Sequence, residues 1–464
     1  MDETKEFDLV VLGAGPGGYV GAIRATQLGM SVAVVEEDKP GGVCLNIGCI
    51  PSKALIHQAQ LFSAIPSLQK MGIVVDTSGF AYQKVWKSSR LAARKLSKSV
   101  EYLLQKNGVT YFSDRGAVSG PHSVTLASGK TLQARNILVA TGSRPREIPG
   151  FAFDGQRILS STDALLMETL PKRMLILGAG AIGVEFAHVF NAFGVEVFVV
   201  EMLESMLPLE DRECVEVLEN TFKKRKIKLF TSCRAKGYSE SPEGLSVVLA
   251  PSEGEEFSLE VDKVLVAVGR TPNTDNIGLE KLGVALQRGF IPVQDGYQTV
   301  VPSVYAAGDV VDSPLLAHVA SKEAEIAVEH MAGHVTQNRV NPDFIPGCVY
   351  CEPELGSVGK SEHELKALGV PYQKAVFPFR GAGKSVAIEK TEGLFKVLVD
   401  PGSHRILGVH IVGEQATELI HEMTLAMTQG ISPAQIAGMI HAHPTLSEGL
   451  MELMRVVEGW PIHV

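Results

Sequence analysis

Apolar residues in this chain gather into short runs that break at glycine. Residues 8–18, DLVVLGAGPGG, read as a strand stopped by glycines. The next stretch, YVGAIRATQLG, reads as a helix, and SVAVVE is a second strand ending in Glu36. The same succession returns at 173–201, RMLILGAGAIGVEFAHVFNAFGVEVFVVE, which ends in Glu201. ILVATGSRP (137–145) and VLVAVGRTP (264–272) echo each other as apolar strands that end at a glycine, then a basic residue and proline. VYAAGDV (304–310) is a further strand, ending at Gly308-Asp309. Apolar strands alternating with helices predict an α/β fold with parallel sheets. Beyond residue 343 the pattern changes. KAVFPF, LFKVLVD and ILGVHIVG are strand-like and are followed by helices, an α+β arrangement. In ATELIHEMTLAM, Leu419, Ile420, Met423 and Met427 share one face, which suits a core or a seam between two copies equally well.

At 464 residues the chain is too long for one hydrophobic core, so three or four domains are expected. A hydrophobic content of 45% with 20% charged residues is ordinary for a globular protein, and no apolar run is long enough to cross a bilayer. The acidic start, MDETKEFDLVV, runs straight into a strand and does not read as a targeting segment. A net charge of -9 argues against a general nucleic-acid binder. Six cysteines suit a reducing compartment, with the cytoplasm as the expected location.

The glycines carry the first chemistry. Gly13, Gly15 and Gly18 fit G-x-G-x-x-G, as do Gly178, Gly180 and Gly183. In each copy the first allows a tight turn, the second lets the backbone approach a pyrophosphate, and the third lets helix pack on strand. Glu36 and Glu201 each lie 18 residues past their third glycine, placed to accept a ribose hydroxyl. Two copies with equal spacing predict two bound dinucleotides and two Rossmann-like domains. No Arg or Lys lies between Glu201 and Arg212, so nothing is at hand to neutralise a ribose 2′-phosphate and the second site favours NAD over NADP. Asp309, at the end of its strand, lies where ligands bind in such sheets, although a turn aspartate fits as well.

The stretch GGVCLNIGCIPSK places Cys44 and Cys49 five positions apart, directly after the first cradle. A redox dithiol needs an adjacent two-electron acceptor, and a flavin both accepts electrons from thiols and exchanges hydride with nicotinamide. Pro51 suits the first turn of a helix, which puts Cys49 near a helix N-terminus that favours its thiolate. A disulfide between the two requires a distorted or looped connection, which Gly41, Gly42 and Gly48 make feasible; two unrelated buried cysteines are the plain alternative. Cys348 and Cys351 lie on an extended segment stopped by Pro353 and are not expected to pair, and Cys214 and Cys233 look structural. Near the end, in IHAHPTLSEGLMELM, Pro444 holds His443 out of a helix expected to start at Thr445. Glu448 either caps that helix through a Thr445-x-x-Glu448 box or serves His443.

GGVCLNIGCIPSK, the two glycine units, AAGD and HAHPTLSE stand in the order found in the flavin-dependent disulfide oxidoreductases, and the whole chain resembles their dihydrolipoamide-oxidising branch. Val43, where the family more often has threonine, and the stretch around Val319 depart from the pattern without removing a reactive group. The resemblance implies a Cys44–Cys49 redox disulfide, with His443 as base and Glu448 as its carboxylate partner. It implies that His443 is supplied by the neighbouring subunit of a homodimer, and that Lys53 pairs with Glu185 beside the flavin. The cofactor-binding set expected is Gly13, Gly15, Gly18, Glu36, Lys53, Gly116, Thr141, Gly142, Ser143, Asp309, Ala317, Gly178, Gly180, Gly183, Glu185, Glu201 and Gly269, for FAD and NAD. The implied domains are 1–148 for FAD, 149–272 for NAD, 273–342 as a central domain completing the FAD site, and 343–464 for dimerisation. The implied partner is a lipoyl-bearing acyltransferase of a 2-oxoacid dehydrogenase complex or a glycine cleavage carrier protein, with no nucleic acid or membrane. A glutathione-type reductase and a non-catalytic flavoprotein scaffold are the competing readings.

Overall fold

The computed structural model describes residues 6–242, 244–334 and 337–463. Its first sheet is built from strands β1 (Glu6–Leu12), β2 (Val32–Glu36), β3 (Thr110–Ser113), β4 (Gly116–Gly120), β5 (Ser123–Leu126) and β6 (Thr131–Val139). The parallel part runs β3-β2-β1-β6, and the strand Val304–Ala306 adds in parallel to the far side of β6. The β4–β5 hairpin joins antiparallel to the start of β6. Residues 9–12 are buried, which is why that strand reads as an unbroken apolar run. Helix α1 (Pro16–Gln27) crosses from β1 to β2 and lies against the helix Ala317–Met331. A Cβ on Gly21 would come 3.1 Å from that of Ala324, so the two helices meet almost backbone to backbone. Residues 273–342 therefore give the first unit a strand and a helix, and their apolar side chains share its core.

The second unit repeats the plan. Lys228–Phe230, Glu196–Val200, Arg173–Leu177, Lys263–Val266 and Ile158–Leu159 form a parallel sheet in that order, flanked by a three-stranded antiparallel meander. The two echoing segments pair with each other: Ser143–Pro145 runs antiparallel to Arg270–Pro272, a two-stranded ribbon joining the units. In the first sheet β1, and in the second Arg173–Leu177, has the next strands of the chain on one side and a later strand on the other, and such a switch point at the carboxyl ends is where an open α/β sheet binds its ligand.

The third unit is a five-stranded antiparallel sheet, Gly347–Val349, Glu354–Gly359, Ile406–Gly413, Leu394–Val399 and Gln373–Pro378 in spatial order, covered by helices that include Ala416–Gln429 and Glu448–Val457. Leu419, Ile420, Met423 and Met427 are buried within the single chain, so that stripe belongs to the core and not to a seam. Phe379 and Phe395 stack in this core with ring centroids 4.4 Å apart. Truncating Phe395 to alanine would cost about 3–5 kcal/mol. Among the described residues no helix is long and apolar enough to cross a membrane.

Candidate active site

Each glycine cradle has its shape for a steric reason. Gly13 has φ +97°, and a Cβ there would lie 2.3 Å from the Ala140 carbonyl oxygen; one on Gly18 would lie 1.9 Å from that of Gly13. Gly178 (φ +99°) and Gly183 repeat this, with 2.6 Å to the Ala267 oxygen and 1.9 Å to the Gly178 oxygen. Gly15 and Gly180 differ: the first has only Gly42 Cα at 3.9 Å and the second has nothing within 4 Å, leaving room for a ligand to approach the main chain. α1 and the helix Ala181–Ala192 both begin without a side-chain cap, so their first N–H groups are free to meet an anion.

Glu36 accepts hydrogen bonds from the Ala14 N–H (2.7 Å) and the Asp38 N–H (2.9 Å). Glu201 accepts the matching pair from Ala179 (2.8 Å) and Leu203 (2.9 Å). Burial raises the Glu36 carboxyl above its ordinary range, against these N–H donors. The donor sets fit two dinucleotides.

The remaining predicted positions gather around the first cradle and the ribbon. Gly116 starts β4 where a Cβ would strike Leu12 and Val35, so it allows close packing at the carboxyl ends of β1 and β2. The Thr141 hydroxyl donates to the Asn273 carbonyl at 2.7 Å, and Gly142 follows with φ +71°. The Ser143 hydroxyl donates to Asp309. Ala317 is the first residue of its helix, which also starts uncapped. Gly269 (φ +106°) turns the chain into the ribbon. Next to it Arg270, which the residue pattern marked only as a basic position, donates from Nε to Ser143 Oγ (2.7 Å) and from Nη2 to the Ser143 carbonyl (2.6 Å).

The dithiol lies against this cradle. Helix α2 (Gly42–Ile47) carries Cys44, and helix α3 (Cys49–Ser63) begins at Cys49, with Gly48 breaking the path between them at φ −149°, ψ −114°. Gly42 (φ +57°) has no space for a side chain, because a Cβ would come 2.7 Å from Gly15 Cα. That approach fixes the thiols beside the first cradle. Both are thiols in this structure. A hydrogen bond from Cys44 holds the Cys49 thiol down to about 7, against desolvation and with help from the Lys53 ammonium. The same bond, with burial, pushes Cys44 up. The pair thus divides into one thiolate and one thiol near neutral pH. Cys348 and Cys351 are unpaired, as are the buried Cys214 and Cys233.

Lys53, one turn into α3, places Nζ 3.0 and 2.9 Å from the two carboxylate oxygens of Glu185, on the first helix of the second cradle. It also lies 4.4 Å from the centre of the Tyr350 ring, whose backbone N–H donates to Glu185 at 3.1 Å. Arg90 donates to the Asn46 carbonyl in α2. Tyr350 and Arg90 gave no sign in the residue pattern.

At the other end of the chain His443 Nδ1 lies 2.9 Å from Glu448 Oε1, and the histidine side chain is 77% exposed. The expected helix start at Thr445 is corrected to Glu448. The Thr445 hydroxyl donates to the Ala442 carbonyl instead of capping, and Ser447 takes the N-cap position. The Thr445 N–H instead donates to Glu448 Oε2 at 2.8 Å, so one carboxylate fixes both the histidine and its loop. Burial opposes the charge on Glu448, but Thr445 and His443 outweigh it and its carboxyl falls below the usual range. Among the described residues no hydrogen bond joins this pair to the dithiol within one chain.

Residues 7–324 match the family model described as pyridine nucleotide-disulphide oxidoreductase, and residues 345–454 match its dimerisation domain. The chain belongs to the pyridine nucleotide-disulphide oxidoreductases. Members of this family are FAD- and NAD-using enzymes, and the two cradles and the dithiol have their counterparts in that chemistry. Among relatives, the chain is 40% identical to dihydrolipoyl dehydrogenase 1, mitochondrial, of Arabidopsis thaliana, over 99% of this chain and 92% of that one. It is 37% identical to a dihydrolipoyl dehydrogenase of Bacillus subtilis over 99% of this chain and all of the other. Among solved structures, LpdA from Mycobacterium tuberculosis superposes with a TM-score of 0.89 at 28% identity, covering 97% of this chain and 99% of that one. RclA from Escherichia coli, an HOCl-induced flavoprotein disulfide reductase, gives 0.86 at 25%, covering 98% of this chain and all of the other.

Proposed function

We propose that this protein oxidises protein-bound dihydrolipoyl groups to lipoyl groups and reduces NAD. The observation that carries the reading is a dithiol with divided acidity, seated beside one dinucleotide cradle and tied through Lys53 and Glu185 to the other. Full-length relatives at about 40% identity support the choice of substrate.

In the disulfide form of the enzyme, His443 of a second copy takes a proton from one substrate thiol. The thiolate attacks Cys44 Sγ, the Cys44–Cys49 bond breaks, and Cys49 leaves as the thiolate that its surroundings favour. The second substrate thiol, deprotonated in turn, attacks the first substrate sulfur and expels Cys44, which takes up one of the two protons from His443 while the other passes to solvent. The substrate has lost two electrons and two protons, and the enzyme pair has gained the electrons. FAD, when bound in the first cradle, supplies a two-electron acceptor for thiols that can pass hydride to nicotinamide. Gly13, Gly15, Gly18, Glu36, Asp309 and Ala317 would hold it, and Gly178, Gly180, Gly183 and Glu201 would hold NAD. Lys53 keeps a cation next to Cys49, and Glu448 orients His443.

On this reading the divisions at 148, 272 and 342 separate the FAD, NAD, central and dimerisation domains. The dimerisation domain supports a homodimer. A cytoplasmic acyltransferase complex or glycine cleavage carrier would deliver the substrate. Steady-state rates with dihydrolipoamide and NAD, beside NADP and beside oxidised glutathione with NADPH, test the assignment. The first pair should be fastest by a wide margin, and a faster glutathione reaction would overturn it.

A further inference from the structure

The helix Tyr82–Lys106 stands apart in a chain of net charge -9. Its buried side, through Ser89, Ala93, Val100 and Leu104, packs on the protein. The opposite side exposes Lys84, Lys87, Arg94, Lys95, Lys98 and Lys106, and among the described residues none of these is in an ion pair. Helical spacing puts them on one face. Leu91 and Tyr102 are exposed among them. Unneutralised cations massed on one face create a local positive potential that attracts an acidic surface.

The position of the helix connects this face to the dithiol. Ser97 Oγ donates to the Pro40 carbonyl at 2.7 Å and Arg90 donates to the Asn46 carbonyl, so the helix braces both ends of the segment that carries Cys44. We infer that its basic face is a docking surface for an acidic protein domain, namely the carrier that brings the dihydrolipoyl arm. This deepens the proposed function and rests on it. A membrane suits the face less well, because the apolar side such a helix would insert is already buried against the protein. A nucleic acid suits it less well because the rest of the chain is acidic.

The test uses the FAD-loaded full-length protein with two substrates: free dihydrolipoamide, and a reduced lipoylated carrier domain of net negative charge. For the wild type, kcat/KM with the carrier should fall steeply as salt rises, while the free substrate shows little dependence. The variant Lys84→Gln/Lys87→Gln/Lys95→Gln/Lys98→Gln should lose about ten-fold in kcat/KM on the carrier at low salt, through KM, and flatten the salt response. It should keep the wild-type rate on dihydrolipoamide. A control at exposed lysines elsewhere, Lys172→Gln/Lys281→Gln, should change neither.

Unchanged carrier kinetics in the four-lysine variant, or an equal loss on both substrates, would overturn the inference alone. Salt-sensitive binding of anionic vesicles or RNA by these lysines, with carrier kinetics unaffected, would overturn it as well. Wild-type protein inactive on free dihydrolipoamide would overturn the functional reading and the inference with it.

Discussion

Lys53 and Glu185, 132 residues apart in sequence, meet in a two-point ion pair with Nζ–O distances of 3.0 and 2.9 Å. The contact joins the helix that begins at Cys49 to the helix of the second cradle, so the two units are braced together by charge beside the dithiol.

Removing the cation should be felt in two ways. Lys53→Met leaves the buried Glu185 carboxylate without its cation and with only the Tyr350 N–H, at a cost of about 1–3 kcal/mol because the lysine is itself partly exposed. It also removes a charge that lowers the Cys49 thiol. Chaotrope unfolding of the FAD-loaded protein should show the first effect. A thiolate titration of the reduced protein should show the second, with Cys49 ionising at higher pH.

In the wild type, the reduced protein should ionise one thiol at about pH 7, Cys49, while Cys44 stays protonated well above it. The main cause is the Cys44 hydrogen bond, so Cys44→Ala should raise the Cys49 transition and Cys44→Ser should preserve part of the shift. Ultraviolet thiolate absorbance against pH distinguishes these outcomes.

Glu201 already accepts N–H bonds from Ala179 and Leu203, and its carboxylate would repel a 2′-phosphate. Glu201→Ala with Met202→Arg should therefore narrow the preference for NAD, improving kcat/KM with NADP by about 10-fold or more relative to NAD. Parallel assays with the two nucleotides measure it directly.

The cradles were legible in the sequence because no residue but glycine fits at Gly13 or Gly178, where the backbone is left-handed and a carbonyl crowds the missing Cβ. The dithiol was legible through its placement after that cradle. The Lys53–Glu185 pair was not, since nothing in local spacing joins residues so distant; only the family resemblance suggested it. The helix start at Thr445 was misplaced because a Thr-x-x-Glu sequence permits a capping box without requiring one. Here Glu448 holds both the Thr445 N–H and His443, but the Thr445 hydroxyl turns back to the Ala442 carbonyl and leaves the box half made. Lys396 was missed altogether, although a lysine inside the apolar run LFKVLVD was a signal of a buried charge.

That lysine leads to a stability prediction. Lys396 is 1% exposed, with Nζ 2.8 Å from Asp211, 2.6 Å from Glu213 and 2.6 Å from Glu362, and it fastens the second unit to the third. Lys396→Met should destabilise the protein by about 3–5 kcal/mol, since the fully buried Asp211 loses its cation, while Glu213 and Glu362 keep only Lys374 and Lys366. Burial opposes the charge on Glu362, but Lys366 and Lys396 outweigh it and lower its carboxyl. A lowered carboxyl stabilises fully above its unfolded pKa, about 4, and that stability is lost as pH falls toward the folded value. Acid unfolding of the wild type should steepen below that point, and the Lys396→Met protein should show less of this dependence.

The most direct test of the central claim, that substrate electrons enter through Cys44, is turnover by the Cys44→Ser protein fully loaded with FAD. Dihydrolipoamide oxidation with NAD should fall by about 1,000-fold or more while the flavin remains bound, because the atom that the substrate attacks is gone. A rate equal to that of the wild type would contradict the account.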